Sequence, residues 1–141
     1  MAATQTPLLV TWDNSWLIGV REVDAQHQNL VRILNELHQA MCHGHGKDVM
    51  GEILGNLIRY TVDHFATEER LMRAHGYPDI AAHHLEHKHL TEKVMDFKRG
   101  FDDGGHIVTI EVVEFLKDWL KNHIRGSDAN FVPFLHSKGV R

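Results

Sequence analysis

Apolar residues recur in steps of three and four through four long stretches of the chain, the spacing of an amphipathic α-helix. Breaks that contain glycine or proline separate these stretches. The pattern predicts helices over about residues 23–42, 47–75, 79–101 and 107–126. Because the connections between them are short, we expect an all-α fold, an antiparallel up-down-up-down four-helix bundle.

The two ends of the chain do not continue this long repeat. Residues 1–22 contain Trp12 and Trp16 without helical spacing, which predicts a non-helical arm. Residues 128–141 contain Phe131 and Phe134, and we expect a short helical tail there. Both ends are expected to fold back over the bundle. The whole chain, residues 1–141, is long and apolar enough for one domain with one core.

Charge and composition exclude several classes of function. The chain has 15 basic and 19 acidic residues and a formal charge of -4, so it lacks the broad positive surface that nucleic acid or anionic lipid would require. Its first ten residues contain no basic segment, and no stretch approaches the ~20 apolar residues of a membrane span. We therefore expect a cytoplasmic protein. We also expect a monomer. The single cysteine, Cys42, excludes an intramolecular disulfide, and we expect it to pack among apolar side chains.

The unusual feature of the composition is its 13 histidines. Six ionisable residues occupy positions on the helical stripes that should be apolar. They are His27, His64, Glu68, His83, His87 and His123. Burying six such groups without partners would cost more than the ~5–15 kcal/mol of net stability of a typical domain. A bound metal is the partner that satisfies converging imidazole nitrogens and carboxylate oxygens together.

The spacing of these residues supports a shared metal site. Two pairs, one on the second predicted helix and one on the third, each have members four residues apart, which places both members of a pair on one helix face. Asp128 is a seventh candidate, but it lies five residues after His123, about 140° around an ideal helix. It can face the other residues only if the helix tightens, ends or forms a π-type turn there. Gly126 and Ser127 are residues that we expect at such a break.

The number and type of these ligands indicate which metal they bind. Seven ligands are too many for one transition-metal ion and suit two. Five imidazoles with two carboxylates favour iron over magnesium or calcium, which prefer oxygen ligands, and exceed the four ligands of a structural zinc site. The predicted cofactor is therefore a pair of iron ions.

The order of these residues resembles the hemerythrin family, and its bacterial single-domain members in particular. The matching segments are Trp12, Ile18-Gly19-Val20, Asp24-Ala25-Gln26-His27, His64-Phe65-Ala66-Thr67-Glu68-Glu69, Tyr77-Pro78, His83-His84-Leu85-Glu86-His87 and Trp119-Leu120-Lys121-Asn122-His123-Ile124, followed by Asp128. The resemblance covers essentially the whole chain. It implies reversible dioxygen binding at a non-haem di-iron centre, for storage, delivery or sensing, and no enzymatic activity.

The resemblance also implies how the ligands divide between the two irons. One iron is held by His83, His87 and His123, the other by His27 and His64, and Glu68 and Asp128 bridge them. Both irons are expected as Fe2+ or Fe3+ with an oxo or hydroxo bridge between them, and the second iron then keeps one open position. Dioxygen, or a small anion such as azide in the oxidised form, would bind there. We expect Leu120, one turn before His123, to roof this position.

The same set of ligands leaves a second function open. It could belong to a di-iron enzyme that acts on nitric oxide, peroxide or a small oxidisable substrate. The excess of neutral histidines favours oxygen binding, because sites that cleave the O–O bond are typically richer in carboxylates. Other histidines lack convergent spacing. We expect His43 and His45 in a solvated loop and His84 and His89 on a helix surface.

Overall fold

The computed structural model describes residues 9–44, 47–103 and 110–141, and within them the secondary structure is helical, without strands. The five α-helices are α1 (Arg21–Cys42), α2 (Lys47–His75), α3 (Ile80–Asp102), α4 (Ile110–Asn122) and α5 (Ala129–Ser137). A π-helical turn, His123–Asp128, joins α4 to α5. Helix α1 packs on α2 and α4, and α2 packs on α3. The all-α prediction is confirmed.

Two predictions fall on parts of the chain outside this description. His45, expected in a solvated loop, lies outside the described residues, and so does the start of the fourth predicted helix at residues 107–109. None of the described helices combines the length and the apolar character that a membrane span needs. Cys42, the last residue of α1, is exposed, so the expectation that it packs in the interior is wrong.

The end of α2 illustrates how the sequence sets a helix boundary. Gly76 follows the last residue of the helix and has a φ of 71°, a left-handed conformation that glycine adopts without strain. The backbone N–H of Tyr77 then donates to the carbonyl of Met72 at 2.9 Å, which closes the helix with a Schellman-type bond. Pro78 follows at once and lacks the N–H needed to extend the helix. The chain therefore turns sharply into α3.

The N-terminal arm is fixed to α1 by buried polar side chains. The carboxylate of Asp24 accepts hydrogen bonds from the backbone N–H groups of Ile18 and Gly19, at 2.8 and 3.1 Å. Asn35 makes reciprocal bonds with the backbone of Val10. The arm also contains a short 3₁₀ turn, Asn14–Trp16, that its spacing did not predict. The arm lies against the bundle, as expected.

Two separate apolar clusters fill the interior. The bundle cluster is formed by α1, α2, α3 and α4 and includes Leu30, Leu34, Leu54, Leu57, Leu90, Leu116 and Leu120. The tail cluster joins α5 to the start of α1 and the end of α2 and includes Val20, Val23, Leu71, Met72, Phe131, Val132 and Leu135. Along α1, His27 lies between Val23 of one cluster and Leu30 of the other. A polar layer thus separates the two apolar clusters.

Candidate metal centre

All seven residues predicted as metal ligands are buried in this polar layer, with exposed fractions of 6% or less. They are His27 from α1, His64 and Glu68 from α2, His83 and His87 from α3, and His123 and Asp128 from the π turn. We call this set the ligand layer. The structure therefore brings together every candidate ligand that the sequence indicated.

The π turn explains how Asp128 reaches the ligand layer. A π turn closes a hydrogen bond five residues apart rather than four, so residues spaced by five lie on one face. Oδ2 of Asp128 lies 3.0 Å from Nε2 of His123 and 2.7 Å from Nε2 of His27. An uninterrupted α-helix would rotate this carboxylate away from the layer. The predicted break near Gly126 and Ser127 is thus confirmed as a π turn.

Distances between the donor atoms match those of neighbouring ligands on one ion. Nε2 of His27 lies 3.1 Å from Nε2 of His64, which lies 2.9 Å from Oε1 of Glu68. Two donors at a right angle around an ion, each bound at ~2.1 Å, are ~3.0 Å apart. The ring nitrogens and carboxylate oxygens are therefore close enough to share a metal without any change of helix position.

The donor atoms fall into two groups, each compact enough to hold one metal ion. His27, His64, His123 and Asp128 form one group, and Glu68, His83 and His87 form the other. The family resemblance implied that His123 belongs with His83 and His87. Its Nε2 lies 3.0 Å from both carboxylates, Oε1 of Glu68 and Oδ2 of Asp128. His123 therefore lies at the boundary between the two groups.

Several buried atoms of the ligand layer have no hydrogen-bond partner among the described residues. They include Oε2 of Glu68, Oδ1 of Asp128, and Nε2 of both His83 and His87. A buried polar atom without a partner costs ~1–3 kcal/mol. Four such atoms beside one another require compensation, and metal coordination through oxygen and imidazole nitrogen supplies it. The residues present thus fit a pair of metal ions.

Electrostatics keeps both carboxylates of the ligand layer in the form that binds metal. Burial and the neighbouring carboxylate both raise the pKa of Glu68, but the charges of His64 and His123 outweigh them and lower it to about 2. Burial likewise raises the pKa of Asp128, whereas the charge of His123 and hydrogen bonds hold it well below its usual range. Burial lowers the pKa of His27. Burial also lowers the pKa of His64, but the charges of Glu68 and Asp128 and hydrogen bonds to them raise it to about 9, and the same two carboxylates raise the pKa of His123 well above its usual value. Ionised carboxylates are ready to bind metal, whereas an imidazole with a raised pKa must first release a proton.

Aromatic side chains hold two of the ligand rings from the bundle side. The ring of Phe65 stacks on that of His87 at 3.9 Å between centroids, with an interplanar angle of 6°. Trp119 stacks on His123 at 4.6 Å and 14°. Stacking restricts rotation of each imidazole about its side-chain bonds. The rings are therefore oriented by packing as well as by any metal.

Polar side chains contact the outer nitrogens of three ligand rings. Oε1 of Gln26 lies 2.7 Å from Nδ1 of His64, and Oε1 of Glu86 lies 3.3 Å from Nδ1 of His123. The carboxylate of Glu69 contacts Nδ1 of His87 at 3.6 Å. Glu69 also pairs with the exposed His84. Helical spacing does not predict these contacts, because the three side chains lie off the apolar stripes and share no spacing with the ligands.

A small cavity lies in the bundle cluster, one helical turn from the ligand layer. Its volume is about 20 Å³, enough for a water-sized molecule. It is lined by Leu30, Leu34, Leu57, Thr61, Leu90, Val94, Leu116, Trp119 and Leu120. Leu30, Leu90 and Leu120 each lie three residues from a candidate ligand. Leu120 thus lines the cavity one helical turn from a candidate ligand.

Comparison with known proteins agrees with this arrangement. Residues 18–135 match the family model described as the hemerythrin HHE cation binding domain. The chain is 36% identical to a bacteriohemerythrin of Stenotrophomonas maltophilia, over 85% of this chain and 77% of that protein. It is 35% identical to a bacteriohemerythrin of Methylococcus capsulatus, over 90% and 97% of the two chains. A crystal structure of wild-type hemerythrin matches with a TM-score of 0.85 and 35% identity, covering 90% of this chain and 98% of that one.

Proposed function

We infer that this chain, which belongs to the hemerythrin family, binds dioxygen reversibly at two iron ions. The observation that carries this inference is the ligand layer itself, five imidazoles and two carboxylates buried between two apolar clusters. A set with this many nitrogen donors suits iron better than magnesium or calcium. Storage, delivery and sensing of dioxygen all use the same binding event.

We propose the division of ligands that the family resemblance implies. His83, His87 and His123 hold one iron, His27 and His64 hold the other, and Glu68 and Asp128 bridge them. Contacts of the two carboxylates support this division. Oε1 of Glu68 lies 2.9–3.4 Å from ring nitrogens of both histidine sets. The oxygens of Asp128 likewise lie 2.7–3.7 Å from ring nitrogens of both.

Bound as a ferrous pair with an oxo or hydroxo bridge, the metals would supply the electrons and the open position that dioxygen requires. The protein would supply an environment of matched charge. Two ionised carboxylates offset part of the charge of two divalent ions, which limits the free-energy cost of burial. The neutral histidines add no negative charge that would stabilise more highly oxidised iron. This balance favours binding over cleavage of dioxygen.

Leu120 and the cavity beside it are proposed to control access to the open position. An apolar cavity admits a small uncharged molecule more readily than it admits water or an anion. Leu120, buried at the edge of this cavity, would exclude the solvent that stabilises departing anions. We therefore propose that Leu120 roofs the site and slows irreversible oxidation of the iron.

Other parts of the proposal concern ligands and cellular context. Small anions such as azide are proposed to compete with dioxygen in the oxidised protein. We propose that the protein is a cytoplasmic monomer. The exposed thiol of Cys42 supports a reducing compartment. An enzyme acting on nitric oxide, peroxide or a small substrate remains the alternative that the following experiment addresses.

Iron content and a visible spectrum test the proposed function together. The purified protein is expected to hold two irons per chain. After reduction, exposure to air should produce a charge-transfer band, and purging with argon should remove it. One iron per chain, or a preference for zinc when iron is plentiful, would contradict the di-iron site. Irreversible oxidation with turnover of a substrate would favour the enzyme.

A further inference from the structure

The side chain of Gln26 contacts the outer edge of the ligand layer, at the ring of His64. Its Oε1 lies 2.7 Å from Nδ1 of His64, and its Nε2 donates to Oγ1 of Thr67 at 2.9 Å. Both ends of the amide are therefore used. In this orientation Nδ1 of His64 carries the proton and donates it to the carbonyl oxygen of Gln26.

This hydrogen bond determines which nitrogen of His64 faces the ligand layer with a free lone pair. With the proton on Nδ1, the lone pair is on Nε2. That nitrogen lies 3.1 Å from Nε2 of His27 and 2.9 Å from Oε1 of Glu68. The contact with Gln26 thus prepares His64 to bind a metal through the correct atom.

Gln26 differs in charge from the side chains that face the outer nitrogens of His87 and His123. Nδ1 of His123 faces the carboxylate of Glu86 at 3.3 Å, and Nδ1 of His87 faces that of Glu69 at 3.6 Å. A carboxylate partner makes an imidazole a stronger electron donor to its metal. An amide carbonyl is neutral and does so less.

We propose that Gln26 is a positioning residue that fixes the tautomer of His64 and, by its neutrality, favours the ferrous state of the iron that His64 binds. This inference rests on the proposed function. A carboxylate at the same position would strengthen donation from His64 and stabilise ferric iron. Carboxylates would then face the outer nitrogens of His64, His87 and His123.

Three variants test the role of Gln26. Gln26→Glu keeps the shape and the hydrogen-bond acceptor but adds a charge, and Gln26→Leu removes the acceptor. Gln28→Glu adds the same charge at an exposed position two residues further along α1 and is the matched control. Iron per chain, iron affinity and the midpoint potential of the iron pair are measured for each variant and for the parent.

Gln26→Glu is expected to retain two irons and to shift the ferrous–ferric equilibrium about tenfold toward ferric, ~59 mV lower for a one-electron step. Gln26→Leu should weaken iron binding by about 10–100-fold. The control should match the parent in both measurements. A Gln26→Glu potential equal to that of the parent, or equal to that of Gln28→Glu, would overturn the proposal.

The outcomes separate this proposal from the function on which it rests. A parent with two irons and reversible oxygen binding, together with unchanged Gln26 variants, overturns only the role of Gln26. A parent without iron overturns both. If Gln26→Leu does not fold, the potential of the isosteric Gln26→Glu still decides the question.

Discussion

The two apolar clusters on either side of the ligand layer differ in how they meet it. On the tail side, aromatic rings pack directly against a candidate ligand, since Tyr77 and Phe131 lie 5.8 and 5.9 Å from the ring of His83 between centroids. On the bundle side, aromatic rings stack on two other candidate ligands, but leucines leave a cavity one turn from the layer. The bundle side therefore combines close packing of ligand rings with space for a small molecule.

A buried metal site requires ligands that are held in place and space for a molecule that reacts there. The tail cluster packs its aromatic rings closely against His83, which resists any change in the position of that ligand. The bundle cluster can hold a guest because its cavity is apolar and small. Changes on the tail side should therefore affect stability and iron content, and changes on the bundle side should affect the reaction with oxygen.

A substitution in the ligand layer between the clusters should have the largest effect on stability and iron content. Glu68→Ala removes a fully buried carboxylate that contacts histidines of both sets. Breaking a buried ionic contact costs ~3–5 kcal/mol, and loss of iron adds to this because metal binding is coupled to folding. Thermal denaturation and iron analysis should show both losses, whereas Glu52→Ala, an exposed change on α2, should show neither. Full iron content in Glu68→Ala would show that Glu68 does not bind iron.

Phe131→Ala tests the tail side. Phe131 is 1% exposed, so truncation should lower the free energy of unfolding by ~3–5 kcal/mol. Iron content should fall as well, because His83 loses an aromatic neighbour. Phe134→Ala, a half-buried position on the same helix, should cost less. Comparable losses from the two variants in urea denaturation would show that packing against His83 has no special importance.

Leu120→Ala tests the bundle side. Truncation should cost ~2–5 kcal/mol in stability while two irons remain bound, and the oxygenated form should decay faster because water enters the enlarged cavity. Leu116→Ala is the matched control, since Leu116 lines the same cavity one turn further from His123. The measurement is the decay rate of the charge-transfer band beside an iron assay. Equal decay rates in both variants would contradict the proposal that Leu120 roofs the open position. Loss of iron from Leu120→Ala would show that Leu120 supports the structure of the site instead.

Thr61→Val should have the smallest effect on stability and on the decay of the oxygenated form. Among the residues that line the described cavity, Thr61 brings the only hydroxyl group, which donates to the carbonyl of Leu57 at 2.6 Å. Valine has a similar shape and cannot hold a water molecule by hydrogen bonding, so the oxygenated form should decay more slowly. Stability should change by no more than ~1 kcal/mol. Faster decay than in the parent would mean that the hydroxyl protects the site.

The sequence predicts the bundle and the positions of its buried polar residues for one physical reason. Both depend on the helical period, which determines the face on which a residue lies. His64 and Glu68 could be paired from their spacing alone. The same reasoning showed that Asp128 needed a local change of helix type, and the π turn is that change.

Features that depend on contacts between helices could not be predicted in this way. Gln26 on α1 meets His64 on α2, and no periodicity within either helix indicates that contact. Glu86 and His123 are a second example. The 3₁₀ turn of the arm, Asn14–Trp16, arises from local hydrogen bonds to Asp13, which are too short in range to leave a repeating pattern.

The close contact between His27 and Asp128 joins residues 101 positions apart in the chain. Closing a loop of this length has a large entropic cost, and contacts so distant in sequence tend to form late in folding. A chain that is only partly synthesised can present some of the donors, but not both of these. The donor set is therefore complete only once residues 123–128 have packed against α1, and acquisition of iron would report that this long-range contact has formed.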